Sequence, residues 1–286
     1  MKPELIADYK CEVGENPLWH PTEKRVYWVD IPRGRIYYYD PARKEHGLHF
    51  EGGAVGGFTI QADDSLLLFM DKGAVAVLRG GKLTRIIESI PGEEHHRFND
   101  VIADPQGRVF GGTIAMTLDK PGRLYRIDRD KKVTKLLDGI GISNGFGFTL
   151  DHKRMYYTDS KAGKIYIFDY DEKTGNIGNQ QVFVQAPHGK GLPDGMTVDS
   201  QGFVWSARWD DWALYRYSPM GIEEQRIEFP AMQVSSAIFG GEDLTDIYVT
   251  TAGGQDKLKH GPGAGALFRI NVGIKGMPEF HSRIGM

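Results

Sequence analysis

The chain has 286 residues, of which 40% are hydrophobic and 26% charged, and its formal net charge at pH 7 is −3. This composition indicates a globular protein with a large core, and it argues against disorder and against nucleic acid as the main partner. The single cysteine, Cys11, excludes an intramolecular disulfide and fits a reducing compartment. Since there is no secretory pattern and no apolar stretch of about 18 residues, we expect a cytoplasmic protein outside the membrane.

Strand-like segments rich in aromatic and β-branched residues recur along the chain in six pairs, separated by Gly, Asp, Lys or Pro. In chain order the predicted pairs are 25–30 with 35–40, 65–70 with 74–79, 108–113 with 122–128, 154–159 with 164–169, 203–207 with 213–218 and 246–251 with 266–271. An apolar stretch that ends in a polar turn precedes the pairs, and a further strand follows most of them, as at 181–185 and 225–229.

Four strands in about 45 residues, repeated six times, predict an all-β fold: a six-bladed β-propeller with four-stranded antiparallel blades around a central channel. We expect residues 1–286 to form this single domain. A β-sandwich or two separate β domains is the alternative, but no linker interrupts the repeats. The strand predicted at 5–9 is expected to join the last blade and close the ring, because an open ring would expose a strand edge.

Four side chains with oxygen atoms that a cation can bind recur 11 or 12 residues ahead of a strand core. They are Glu15, Asn99, Asn144 and Asp194. Because the first strand of every blade lines the channel, equivalent positions should meet at one mouth. Carboxylate and amide oxygens suit Ca²⁺, Mg²⁺ or Mn²⁺, and Zn²⁺ or Fe²⁺ less naturally. The alternative is that these residues are ordinary loop and turn formers. In the remaining blades Gly56-Gly57 and Ser235-Ser236 would leave space for water or substrate.

Five segments resemble the SMP-30, gluconolactonase and regucalcin family of six-bladed propellers. They are Gly14-Glu15-Asn16-Pro17-Leu18-Trp19, Arg97-Phe98-Asn99-Asp100, Ser143-Asn144-Gly145, Pro193-Asp194-Gly195-Met196 and Phe239-Gly240-Gly241. The resemblance implies hydrolysis of sugar lactones to aldonic acids. It also implies one divalent cation, held by Glu15, Asn144 and Asp194, with Arg97 and Asn99 in contact with the ion or the substrate. We prefer Ca²⁺ as the cation, with Zn²⁺, Mn²⁺, Mg²⁺ or Fe²⁺ as alternatives.

The resemblance has one departure, which bears on the substrate. Some relatives carry an acidic residue soon after the Gly-Thr that ends the strand at 108–113, and it touches substrate hydroxyls. Here the sequence at that place is Ala115-Met116-Thr117. The substrate preference of those relatives therefore does not transfer to this chain.

Opening of a lactone builds negative charge on the carbonyl oxygen, which a divalent cation can stabilise while it lowers the pKa of a bound water. Asp194 is the candidate base for that water, and its alternative role is that of a ligand only. Arg97 can donate to sugar hydroxyls or to the oxyanion, or else form a structural ion pair. In an extended backbone Asp100 should point away from Asn99 and act as a loop brace.

Side chains near the predicted mouth supply further candidates. Trp209 or Trp212 can stack on a sugar ring, and His95 and His96 can border the pocket, although adjacent histidines make a poor chelate. Two other functions compete with the sugar lactonase, namely a promiscuous metal-dependent esterase for apolar lactones or organophosphates and a non-catalytic calcium-binding propeller. The polarity of Arg97, Asn99 and Asp194 favours a polyhydroxylated substrate. We expect a monomer or a weak homo-oligomer.

Overall fold

The aromatic and β-branched runs form six four-stranded antiparallel sheets, which confirms the predicted six-bladed β-propeller. The computed structural model describes residues 2–117 and 120–286. Within each blade the strands follow one another in sequence, except that the sixth blade takes its outermost strand from the N-terminus. In the described part of the chain, no helix has the length and apolar character needed to span a bilayer.

The strand bounds, in chain order, are these. Strand β1 (Glu4–Asp8) comes first, and blade 1 consists of β2 (Gly14–His20), β3 (Arg25–Asp30), β4 (Arg35–Asp40) and β5 (Glu45–Glu51). Blade 2 consists of β6 (Val55–Ile60), β7 (Leu66–Met70), β8 (Val75–Arg79) and β9 (Lys82–Ile87), and blade 3 of β10 (His96–Ala103), β11 (Val109–Ala115), β12 (Gly122–Ile127) and β13 (Val133–Ile140).

Blade 4 consists of β14 (Ser143–Phe148), β15 (Arg154–Asp159), β16 (Lys164–Asp171) and β17 (Asn176–Gln185). Blade 5 consists of β18 (Leu192–Val198), β19 (Val204–Trp209), β20 (Ala213–Tyr217) and β21 (Glu223–Glu228). Blade 6 consists of β22 (Val234–Gly240), β23 (Asp246–Thr251), β24 (Ala266–Asn271) and β1, with the short helix α1 (Lys257–His260) between β23 and β24.

The ring closes as the sequence predicts, because β1 pairs antiparallel with β24. Neighbouring blades are held together by buried aromatic side chains such as Phe69 of blade 2 and Phe98 of blade 3, whose rings meet edge to face at 5.2 Å. Between blades 3 and 4, the buried Asp104 carboxylate accepts hydrogen bonds from Arg108 Nε at 2.5 Å and from the Tyr170 hydroxyl at 2.8 Å. These contacts fix the angles between the inner strands, and so they fix the positions of the channel side chains.

Every innermost strand carries a β-bulge near the same end of the channel. The pairing register shifts at Glu15/Leu18, Val55/Gly57, Phe98/Val101, Asn144/Phe146, Pro193/Met196 and Val234/Ser236. A bulge interrupts the alternation of side chains and redirects one of them. Consecutive residues at these positions can therefore both reach the channel.

The far end of the channel is crossed by residues 274–284, which we call the C-terminal strap. Its first part meets blade 5, where Gly276 forms a bridge with Asp199, and its last part meets blade 2, where Ser282 pairs with Gln61. The Ser282 hydroxyl lies 2.7 Å from the Thr59 hydroxyl, and the Ile284 N–H donates to Gln61 Oε1 at 2.9 Å. The strap thus covers the channel end opposite the bulges.

Candidate metal and substrate site

The inner strands β2, β10, β14 and β18 carry the four side chains that the sequence singles out. All four are buried: the exposed fraction is 5% for Glu15, 6% for Asn99, 5% for Asn144 and 3% for Asp194. Asn99 and Asn144 are in direct contact, and the charge of Glu15 acts on Asp194. The structure therefore brings these four residues together.

Glycines let the inner strands approach closely at this point. A Cβ atom added to Gly145 would lie 2.5 Å from the backbone oxygen of Asp194, and one added to Gly195 would clash with the Ser236 hydroxyl. The Asn-Gly and Asp-Gly sequences are thus explained by close packing between blades 4, 5 and 6, since only glycine fits there. This packing places Asn144 beside Asp194.

A chain of hydrogen bonds runs across blades 3, 4 and 5. Arg97 Nη1 donates to Asn99 Oδ1 at 2.7 Å, and Asn99 Nδ2 donates to Asn144 Oδ1 at 2.9 Å. Asn144 Nδ2 then donates to the Ser160 hydroxyl at 2.9 Å, and that hydroxyl donates to the Pro193 carbonyl at 2.6 Å. This series of hydrogen bonds ends at Pro193, the residue that precedes Asp194.

The two ends of this hydrogen-bond series, Arg97 and the Pro193 carbonyl, determine how the amides between them are oriented. A guanidinium can only donate and a carbonyl oxygen can only accept, so each amide between them must present its oxygen towards Arg97. Asn144 Oδ1 uses one lone pair to accept from Asn99. Its second lone pair is available to a cation.

Two buried carboxylates of like charge face one another here. Burial raises the pKa of Glu15 to about 8, with a further contribution from the Asp100 charge, while the Asn16 N–H and Arg97 act in the opposite direction. Burial, together with the charges of Glu15 and Asp100, also raises the pKa of Asp194 well above its usual range. Both shifts show that negative charge is poorly compensated at this point.

The donor set fits a hard divalent cation. Asp194 Oδ1 is buried and has no hydrogen-bond partner among the residues that the structure describes. In residues 2–117 and 120–286, no three His, Cys, Asp or Glu side chains converge on one point. A cation bound by Glu15 and Asp194 would therefore take the amide oxygen of Asn144 as its third protein ligand.

Arg97 is half-buried and lies next to this donor set. Its Nη1 also donates to the Phe98 carbonyl at 2.9 Å. Burial lowers the pKa of the guanidinium to about 10, while the charges of Glu15 and Asp71 oppose that shift. In the described part of the chain it forms no ion pair with a carboxylate, which leaves most of its N–H groups available to a ligand.

The expectation that Asp100 points away from the site is wrong. Asp100 lines the channel, and its charge acts on Glu15 and on Asp194. The reason is the bulge between Phe98 and Val101, which breaks the alternation that an extended strand would impose.

The other candidates at the mouth are placed as follows. His96 is buried, with Nε2 at 3.2 Å from the Pro121 carbonyl, whereas His95 is exposed. Trp209 ends β19 opposite Leu192, and the Trp212 ring lies against Gly261. Residues 118 and 119, which follow Ala115-Met116-Thr117, lie outside the described residues.

Two further residues line or support the channel but cannot be recognised from the sequence pattern. Ser160 immediately follows β15, and its hydroxyl is the link between Asn144 and blade 5. Glu279 belongs to the C-terminal strap and lines the channel together with Asp100. Neither residue lies at the offset shared by the four predicted side chains, so the repeat pattern could not reveal them.

Fold and site together define a six-bladed β-propeller with a carboxylate and amide centre at one mouth of its channel. The chain belongs to the SMP-30/gluconolactonase/LRE-like family, whose model matches residues 13–253, and this confirms the resemblance seen in the sequence. It is 46% identical to the pentonolactonase XacC of Haloferax volcanii, over 98% of this chain and 97% of that protein.

Two further comparisons cover nearly the whole chain. The regucalcin of Gallus gallus is 31% identical over 98% of this chain and 98% of that protein. A solved structure of a calcium-binding regucalcin from Agrobacterium tumefaciens superposes with a TM-score of 0.92 at 26% identity, covering 99% of this chain and 97% of that one.

Proposed function

We propose that this protein hydrolyses a sugar lactone, an aldono-1,4- or 1,5-lactone, to the aldonic acid with the help of one divalent cation. The observation that carries the proposal is the convergence of Glu15, Asn144 and Asp194 beside the hydrogen-bonding groups of Arg97 and Asn99. The pentonolactonase among the relatives supports it, and it makes a pentonolactone the first substrate to test. Ca²⁺ is the cation we propose, because all the donors are oxygens and a relative of known structure is a calcium-binding protein.

The residues of the site have separate tasks in this reaction. The cation, when bound, would polarise the lactone carbonyl and acidify a water. Asp194 accepts a proton from the attacking water at Oδ1, which has no competing hydrogen bond in the described residues. The water oxygen bonds to the carbonyl carbon, the ring C–O bond breaks, and the ring oxygen takes up a proton to become a hydroxyl. Arg97 donates to substrate hydroxyls or to the oxyanion.

Asn99 and Ser160 position these groups. Asn99 Oδ1 accepts a hydrogen bond from Arg97 Nη1 at 2.7 Å. Asn99 Nδ2 donates to Asn144 Oδ1 and so orients the Asn144 amide. Ser160 fixes the other side of the Asn144 amide. Because these hydrogen bonds are made within the protein, they can hold the site's donors in place as negative charge develops on the substrate.

Proton release from a panel of aldonolactones tests the proposal. Metal-stripped protein should release acid no faster than the spontaneous reaction, and Ca²⁺, Mg²⁺, Mn²⁺, Zn²⁺ or Fe²⁺ added singly should restore turnover to different degrees. Asp130→Asn, which alters an exposed turn of blade 3, is the matched control for Asp194→Asn. Spontaneous rates with every cation and every lactone would refute the proposal.

The same assay shows whether Asp194 acts as a general base or only as a ligand of the cation. Glu15→Gln and Asp194→Asn should both weaken cation binding, since each removes one carboxylate. At saturating cation, Glu15→Gln should recover most of its kcat, whereas Asp194→Asn should remain about 10²-fold lower or more if its carboxylate accepts the proton. Equal recovery of both variants would leave Asp194 a ligand only.

A calcium-binding propeller without turnover is the second candidate, and the calcium-binding relative favours it. It predicts cation binding with no acid release from any lactone. Turnover of apolar lactones or organophosphates in place of sugar lactones would instead support the promiscuous esterase.

A further inference from the structure

A cavity of about 470 Å³ lies beside the C-terminal strap, at the end of the channel opposite the proposed metal ligands. Its walls come from the last residues of the inner strands of blades 1, 2, 3 and 6, from the turns after β2 and β22, and from the strap. Over blade 6 the strap packs tightly, since a Cβ atom added to Gly276 would lie 2.1 Å from the Phe239 side chain. Cavities that bind small molecules have this size and combine apolar walls with a few polar groups.

The walls of this cavity are mainly apolar, and several of them are aromatic. Trp19, Phe239 and Phe280 line it together with Ile60 and Leu244. Trp19 is 9% exposed and Phe239 1%, so the surrounding structure holds both rings in place. Aromatic rings attract organic ammonium groups through their faces and also bury apolar groups. The walls therefore suit a ligand that is both apolar and positively charged.

One carboxylate lines the cavity without a partner. Glu279 belongs to the strap and is half-buried, and in the described part of the chain it forms neither a hydrogen bond nor an ion pair. Burial raises the pKa of Glu279 to about 7, and the Asp100 charge acts in the same direction. A ligand with a positive charge would compensate this carboxylate.

The other titratable side chains that line the cavity do not compensate Glu279. Lys24 and Glu242 form an ion pair with each other at the rim, with 2.5 Å between Nζ and Oε1. Burial lowers the pKa of His281 below its usual value, so this ring is neutral above about pH 7. The net charge that the cavity presents to a ligand is therefore negative, which disfavours an anion.

We propose that this cavity binds a small hydrophobic amine in its ammonium form, with Glu279 as the counter-ion and the aromatic walls around the apolar part. An inorganic cation suits the cavity poorly, because one carboxylate among apolar walls cannot replace its hydration shell. A neutral apolar ligand would remove water from Glu279 and give it no partner. The amine site does not depend on the proposed lactonase activity, since Glu15, Asn144 and Asp194 lie outside its walls.

Calorimetric titration with three ligands that share one ring tests this inference. The ligands are 2-phenylethylamine, the neutral 2-phenylethanol and the anionic phenylacetate, at about pH 8, where Glu279 is ionised. About 1 mM Ca²⁺ in the buffer occupies the proposed metal centre and keeps the amine from its carboxylates. The amine should bind with a Kd of about 1 mM or lower, and the alcohol at least about tenfold more weakly, because only the amine gains a charge-assisted hydrogen bond. Phenylacetate should not bind.

Three variants locate the site. Glu279→Gln should weaken amine binding at least about tenfold and leave alcohol binding unchanged. Glu242→Gln, which alters a carboxylate of the same cavity that already pairs with Lys24, is the matched control and should change the amine affinity by less than about threefold. Asp194→Asn should also keep the amine affinity, whether or not the protein is a lactonase.

Two results would overturn the inference. One is a wild-type protein that binds the amine no more tightly than the alcohol, or that binds neither. The other is amine binding that Asp194→Asn abolishes and Glu279→Gln leaves intact, since the amine would then occupy the carboxylates at the opposite mouth. The comparison of the three ligands is made on the wild-type protein, so it stands even if Glu279→Gln fails to fold.

Discussion

Replacing Asp194 with asparagine removes one of two buried carboxylates, and in metal-free protein this should stabilise the fold. Two carboxylate oxygens that can share an ion lie about 4 Å apart, and at an effective dielectric constant of about 20 their repulsion is about 4 kcal/mol. A chain of 286 residues loses about 0.6 kcal/mol of stability per degree near its melting point. The expected rise in Tm is therefore about 7 °C at a pH where both groups are ionised.

The raised pKa of Glu15 determines how the free energy of unfolding of metal-free protein changes with pH. The folded protein holds the proton of Glu15 up to about pH 8, far above the usual value, so the contribution of Glu15 to the stability of metal-free wild type falls as the pH rises from about 4.5 to about 8. The advantage of Asp194→Asn should thus be near zero at about pH 4, close to the pKa of an unfolded Asp, and should grow as the pH rises towards about 9. Thermal melts in chelator at both pH values measure it, with Asp130→Asn as control. Equal melting temperatures for variant and wild type at about pH 9 would show that the two carboxylates do not repel each other.

Four further outcomes are expected. Chelation should abolish lactone hydrolysis and lower Tm, and added Ca²⁺ should restore both in the same titration. Cation affinity measured by calorimetry should rise with pH up to about 8, because protons compete for Glu15. Ser160→Ala should lower cation affinity about 10- to 100-fold by releasing the Asn144 amide, and Ser160→Thr should recover most of it. Asp104→Asn should cost about 3 kcal/mol in denaturant unfolding by leaving the buried Arg108 charge without its carboxylate partner, with little change in kcat.

The sequence alone predicts the fold well because each blade repeats a local pattern. Aromatic and β-branched runs with turn residues between them predict β3, β4 and β15 with the bounds that the structure shows. The convergence of Glu15 and Asp194 was also predictable, since equivalent positions in a ring of blades must meet.

What escaped prediction depends on contacts that no local pattern records. The orientation of Asp100 is set by a bulge, and a bulge is a property of the pairing between β10 and β11. Glu279 lies in an irregular segment outside the repeated strands, and it reaches the channel only through the tertiary contacts of the C-terminal strap. The role of Ser160 arises from two partners in other strands, Asn144 and Pro193.

The C-terminal strap lies across one end of the propeller channel and narrows that opening. Gly276 and Ser282 secure it to blades on different sides of the far opening. A lactone that binds at the bulged end and the aldonic acid formed from it would contact the same groups, so the acid should delay binding of the next lactone until it dissociates. We therefore expect the aldonic acid to inhibit competitively. Its inhibition constant would report the affinity of the acid for the groups that bind the substrate.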